Sequence, residues 1–161
     1  MGAVRGRVGV MTDPLAYIEI EQLQRRYADI STRRAWSDVV SIATPDASFS
    51  FDTRHGLYEV EGAAAFAEAG ARLADRFTFS DFIPVNFVVT FGTDGTANGR
   101  SYCLEVAEER DTGEWIEHYG LYEDEYALFE GTWRFSRRHY RTLARRTAAG
   151  PAEVFPLGSV R

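Results

Sequence analysis

Apart from one early hairpin, the apolar periodicity of this chain changes once, from helical before Leu73 to strand-like after it, and that single switch restricts the fold more than any other feature. Ile18, Ile20, Leu23, Tyr27 and Ile30 recur at helical spacing and predict an amphipathic helix over 14–33, with proline in its first turn. Trp36, Val39, Val40 and Ile42 predict a second helix over 35–43, ending at Thr44-Pro45 because a residue before proline is pushed out of helical geometry. A strand over 47–52, a turn at Arg54-His55-Gly56 and a short strand over 58–60 follow. A third helix starts at Glu61 or Gly62 and runs through Ala65, Phe66, Ala69 and Leu73. The rest reads as sheet, with strands over 78–81, 85–93, 96–108, 114–128 and 132–142 separated by turns at Asp94-Gly95, Thr112-Gly113 and Glu130-Gly131. Helices first and a meander of long strands afterwards predict an α+β domain, three N-terminal helices laid on one face of a strongly curved antiparallel sheet.

A chain of 161 residues suits one domain, expected over 13–146, with residues 1–12 as a flexible extension and a possible second start at Met11. Residues 147–161 lack periodicity and are expected to form an irregular arm from which Val154, Phe155 and Leu157 can dock on a neighbour. The net charge of −6 argues against a nucleic-acid surface. The run Arg134, Arg137, Arg138, Arg141, Arg145 and Arg146 is expected to balance the acidic 105–130 region. A lone Cys103 excludes an internal disulfide, and no apolar run approaches the roughly 18 residues of a membrane helix, so a cytoplasmic protein is expected. His55, His118 and His139 show no paired metal spacing, and no phosphate loop or nucleotide fingerprint is present, so neither metal nor cofactor is expected.

The chemistry concentrates in His118-Tyr-Gly-Leu-Tyr-Glu-Asp-Glu-Tyr126, where strand alternation puts Ile116, His118, Gly120, Tyr122, Asp124, Tyr126 and Leu128 on one face. An imidazole, phenols and a carboxyl on an apolar face are costly to bury unless they pair or do chemistry. Phe51, Phe82, Tyr102, Tyr122 and Tyr126 are the candidate walls of a pocket for a flat, apolar, oxygenated ring system, with His55 at its mouth. His139, on the arginine-rich last strand, reads as surface or interface, and Glu105, Glu108 and Glu109 as a solvated strand end.

The runs Glu21-Gln-Leu-Gln-Arg-Arg-Tyr-Ala-Asp29, Trp36, Thr44-Pro-Asp-Ala-Ser-Phe49, Val60-Glu-Gly-Ala-Ala-Ala-Phe66, Tyr122-Glu-Asp124 and Gly131-Thr-Trp-Arg-Phe135, in that order, resemble the SnoaL-like branch of the nuclear-transport-factor-2-like superfamily. The resemblance covers about 15–145 and implies a cystatin-like, cone-shaped half-barrel closed by helices around an apolar cavity, in a homodimer or higher homo-oligomer. It also implies kinship with dehydratases, ketosteroid isomerases and polyketide cyclases, and with relatives that catalyse nothing. Tyr27 falls where the isomerases place a tyrosine that donates to an enolate, Asp124 near their protonated acid, and His118 near one of two dehydratase histidines. Phe82, beside Asp81, holds the place of the other histidine, and Ser31-Thr32 that of a Tyr-Asp pair; Phe51 stands at the isomerase base position with Asp52 one residue on.

The resulting expectation is a cofactor-independent lyase, isomerase or cyclase acting on a small hydrophobic aromatic or polycyclic molecule, with His118 as base, Asp124 as acid, Tyr27 as oxyanion donor and Asp52 available if a bulge turns it inward. The alternative is a binding or dimerisation module in which the same polar strand satisfies itself by hydrogen bonds.

Overall fold

The computed structural model describes residues 14–92 and 94–155, so the expected extension at 1–12, the start at Met11 and Leu157 of the arm lie outside the described residues. Helix α1 (Pro14–Arg33) buries Ile20, Leu23, Gln24, Tyr27 and Ile30 along one stripe, while Ile18 points to solvent. The second helical segment, expected over 35–43, is a six-residue 3-10 helix, Trp36–Ser41. Strand β1 (Ala43–Asp52) pairs with β2 (Leu57–Glu61), and α2 (Ala63–Ala74) buries Phe66 and Ala74 while Leu73 stays exposed. Four long strands follow: β3 (Phe77–Phe91), β4 (Thr96–Glu109), β5 (Trp115–Phe129) and β6 (Thr132–Thr147). The described part of the arm contributes β7 (Glu153–Val154).

The strands form one open, curved sheet in the order β2-β1-β6-β5-β4-β3, with β7 pairing on β6. Every pair is antiparallel except β1 with β6, which run parallel and correct the all-antiparallel expectation. Strand β1 also begins at Ala43 instead of Ala47, passing through Pro45 where the ladder with β6 is interrupted between Ala43 and Ser48. A proline has no N–H to give a ladder, and an irregularity absorbs the loss. The same device merges the two strands expected over 78–81 and 85–93 into β3: the register shifts between Pro84 and Asn86, and Val85 is the extra residue.

Part of the arm expected to be irregular is ordered against β6. Asp52, the last residue of β1, sits opposite Arg141, so β6 runs on past its parallel neighbour with an open edge. The arm fills that edge: Glu153 and Val154 pair with Arg145 and Ala144, and the Phe155 N–H donates to the Leu143 carbonyl at 2.8 Å.

Helices and sheet bury one core containing Ile20, Val39, Ile42, Phe49, Phe66 and Phe135. Each such side chain contributes about 1.5–3 kcal/mol on removal from water. No described helix is long and apolar enough to cross a membrane.

Candidate active site

Cross-strand register arranges the concave face in rows. One row runs Phe82 (β3), Glu105 (β4), His118 (β5), Arg145 (β6) and Glu153 (β7). A second runs Phe87, Ser101, Tyr122, Tyr140 and Phe51; a third runs Val89, Gly99, Asp124, Arg138 and Phe49. Between the first two rows lies Gly120, where a Cβ would stand 2.2 Å from the Tyr140 ring, so only glycine lets that ring lie flat over β5.

The third row holds an ion pair with no solvent exposure on either side chain, Arg138 Nε to Asp124 Oδ1 at 3.6 Å. Arg138 Nη2 donates to Gln24 Oε1 at 3.0 Å, and Gln24 Nε2 donates to Asp124 Oδ2 at 2.6 Å and to the Tyr126 hydroxyl. The Tyr126 hydroxyl donates to the same Asp124 oxygen at 3.1 Å. The Arg138 guanidinium carbon lies 3.9 Å from the centroids of both the Tyr27 and Tyr122 rings and 4.6 Å from that of Phe135. A desolvated cation held on aromatic faces gains about 2 kcal/mol or more. Burial pushes the Asp124 carboxyl above the usual carboxylate range, and Arg138 opposes the shift.

The floor beneath α1 is therefore solid: Tyr27, Phe82, Tyr122, Tyr126 and Tyr140 are each 5 % exposed or less. The face opens at the first row, where Glu105 and His118 are only partly buried. Tyr122 donates its hydroxyl to Glu105 Oε1 at 3.3 Å, and the Cys103 thiol donates to the same oxygen at 3.8 Å. Burial raises the Glu105 carboxyl above its ordinary value, against the pull of Tyr122 and Arg138. Burial, with the charges of Arg145 and His55, lowers His118 from 6.5 to about 4. At neutral pH the row presents an uncharged imidazole.

The structure gathers His118, Asp124, Tyr27, Phe51, Phe82, Tyr122 and Tyr126 on the helix-covered face. Tyr27 makes edge contacts with Phe82 and Tyr122, and burial raises its phenol to about 12. Phe51 stacks on Phe66 at 5.6 Å. Three expected residues are not brought in. Tyr102 pairs with Leu121 and Asn86, on the opposite side from Ser101 and Cys103, because the β4 alternation is unbroken there. Asp52 alternates away from Phe51, no bulge intervening, and its carboxylate accepts the Arg54 N–H at 3.0 Å and pairs with the Arg54 guanidinium at 3.3 Å. His55 is exposed in the turn, 3.8 Å from Glu153.

Three inward residues escaped the sequence reading. Gln24 lies in the α1 stripe between Leu23 and Tyr27, a polar residue at a core position. Glu105 shares the parity of Ser101 and Cys103 and belongs to the interior, not to a solvated strand end. Arg138 is no surface charge: the register shift past Ser136 moves the inward parity of β6 from Trp133 and Phe135 to Arg138, Tyr140 and Thr142. The Thr32 hydroxyl donates to Asp81 at 2.9 Å and accepts the Phe82 N–H, so the positions matched to the missing dehydratase residues do meet in space. On the outer face, a polar cleft of about 430 Å³ includes Arg100, Glu123, Arg137 and His139, and His139 Nδ1 shares a 2.7 Å hydrogen bond with Ser50.

Residues 14–139 match the model of the SnoaL-like domain, and the chain belongs to that family. No curated protein matches the sequence. A scytalone-dehydratase-like protein of Novosphingobium aromaticivorans superposes with a TM-score of 0.76 at 20 % identity, over 91 % of this chain and 96 % of that one. The LinA-type3 hexachlorocyclohexane dehydrochlorinase of Novosphingobium barchaimii gives 0.75 at 20 % identity, over 88 % and 96 %. A cystatin-like protein of Caulobacter vibrioides gives 0.68 at 15 % identity, over 80 % and 89 %. At these identities the likeness is one of fold.

The His118 shift has a sign that can be tested. Between pH 6.5 and about 4 the unfolded chain takes up a proton that folded His118 refuses, so the folded state loses stability as pH falls through that window. Urea unfolding at pH 7 and pH 4.5 should show a smaller loss for His118→Gln than for the unaltered protein; equal losses would place His118 in ordinary solvent.

Proposed function

We propose that this SnoaL-like protein is a cofactor-independent acid–base enzyme, a lyase, isomerase or cyclase, acting on a small hydrophobic aromatic or polycyclic molecule at the open row of the concave face. The observation that carries the reading is His118, partly open, uncharged at neutral pH and directly across the ladder from the partly buried carboxyl of Glu105. Such an imidazole accepts a proton from carbon without first shedding one of its own. Phe82 in the same row and Phe51 in the next offer flat apolar walls. Tyr27 is packed in the closed floor with its ring on Arg138, and its part in this account is to hold that positive charge beneath the row. Asp124 serves this account by holding Arg138 in place. The dehydratase-like and dehydrochlorinase neighbours carry names of eliminations, which agree with this reaction class.

The packed floor favours a second reading, a binding or dimerisation module whose polar groups satisfy one another. Deuterium exchange into 2-tetralone separates the two, because the exchange needs only a base for an acidic C–H and a donor for the carbonyl oxygen. The enzyme reading expects exchange above the buffer rate and a loss of about 10²–10⁴-fold in His118→Ala, with the melting temperature within a few degrees. No exchange by the unaltered protein supports the module.

Self-association through the outer face belongs to the same proposal. Ile83, Leu104, Tyr119, Ala144 and Val154 form one cross-strand row there, with Tyr119 and Val154 well exposed. An exposed apolar strip of this kind marks an interaction surface. Sedimentation should find a dimer or larger assembly that Tyr119→Asp weakens; a monomeric parent protein contradicts it.

A further inference from the structure

We propose that Glu105 is the proton donor of this site, delivering a proton to a substrate oxygen while His118 takes one from carbon. The inference rests on the acid–base reading and assigns its missing partner. Glu105 and His118 are direct cross-strand partners on the same face, which puts their Cβ atoms about 4.5–5.5 Å apart. The Glu105 side chain is fixed inward by two donors, the Tyr122 hydroxyl at 3.3 Å and the Cys103 thiol at 3.8 Å. Both donate to Oε1. Among the described residues Oε2 accepts nothing and is not sealed from solvent, so this oxygen is the one free to carry and release a proton. Glu105 is only partly buried where Asp124 is fully buried, so solvent reaches the Glu105 side chain.

Asp124 is badly placed for the same task. Its side chain has no exposure, and its carboxylate is engaged by Gln24, Tyr126 and Arg138. Glu105 holds the better station, one residue position across from the base and next to the ring of Phe82.

The step balances without a further reactant. An imidazole nitrogen of His118 takes the proton from carbon, and the C–H electron pair becomes a new C=C bond. The electrons displaced go to oxygen, as the π pair of a carbonyl or the σ pair of a breaking C–OH bond, and that oxygen receives the Glu105 Oε2 proton. The product is an enol or an alkene with water. The imidazolium and carboxylate left behind are cross-strand neighbours and reset by exchange with water, the imidazolium giving its proton up and the carboxylate taking one, since both groups are partly exposed. The substrate class is thus a ring compound with a carbonyl or hydroxyl oxygen beside its acidic carbon.

The groups around Glu105 are Cys103 on its own strand, Tyr27 from α1, His118 and Tyr122 from β5, and Tyr140 and Arg138 from β6. Burial raises the Cys103 thiol and the Tyr122 and Tyr140 phenols above their ordinary values and Tyr27 to about 12, so an alkaline limb well below that belongs to Glu105.

The test follows kcat/KM for deuterium exchange into 2-tetralone against pH, together with carbon-13 titration of the labelled glutamate carboxyls in the unaltered protein. The expected profile rises through the His118 titration and falls as Glu105 ionises above the ordinary glutamate value of about 4.3. Glu105→Gln should lose at least about 10²-fold in rate and the alkaline limb with it, while Glu105→Asp keeps the limb at reduced rate. A Glu105→Gln variant with rate and limb intact overturns the inference and leaves the acid–base reading standing, as does a Glu105 carboxyl that titrates near 4.3. No exchange by the unaltered protein overturns both.

Discussion

A guanidinium with no exposed surface is the constraint on which the rest of this structure depends. Taking an ion from water costs several kcal/mol even after relaxation, and a single partner seldom offsets it. Arg138 is met by Asp124, by the Gln24 amide and by three aromatic faces, which between them come from α1, β5 and β6. Helix and sheet are thereby tied in one register. A slip of α1 by one residue would withdraw Gln24 and leave two buried charges short of a partner.

That fixed floor shapes the chemistry above it. With the rings of Tyr27, Tyr122 and Phe135 packed around the cation, Glu105 and His118 are among the groups of the concave face that keep some exposure. Burial pushes the two groups in opposite directions, the carboxyl up and the imidazole down, so each is biased toward its uncharged form. Two groups whose environments drive their titrations apart are the ordinary basis for separating an acid from a base. The Arg138 charge acts on Glu105 from below and opposes its upward shift.

Much of this was legible from residue order. The bounds of α1, the hairpin, the three long strands β4, β5 and β6 and the inward set on β5 follow from periodicity, since each is a local pattern repeated over many residues, whereas β3 reads as two strands because Pro84 interrupts it. Residues that depend on a break in periodicity were not legible. Arg138 is inward only because β6 is irregular past Ser136; strict alternation from Trp133 and Phe135 selects Arg137. Asp52 is the converse case, since the bulge needed to turn it inward does not form. Glu105 was hidden by composition, a glutamate among glutamates, although its parity with Ser101 and Cys103 already marked it as interior. The parallel pairing of β1 and β6 is a matter of topology that no local pattern encodes.

The central claim, that the Arg138–Asp124 pair is a single buried unit holding the floor, is tested most directly by a double-mutant cycle read by urea unfolding. Asp124→Asn and Arg138→Met should each cost about 3–5 kcal/mol, because each leaves its partner buried and uncompensated. The two together should cost clearly less than the sum of the single losses, by at least about 1 kcal/mol. Strictly additive losses, or single variants as stable as the parent protein, would contradict the account.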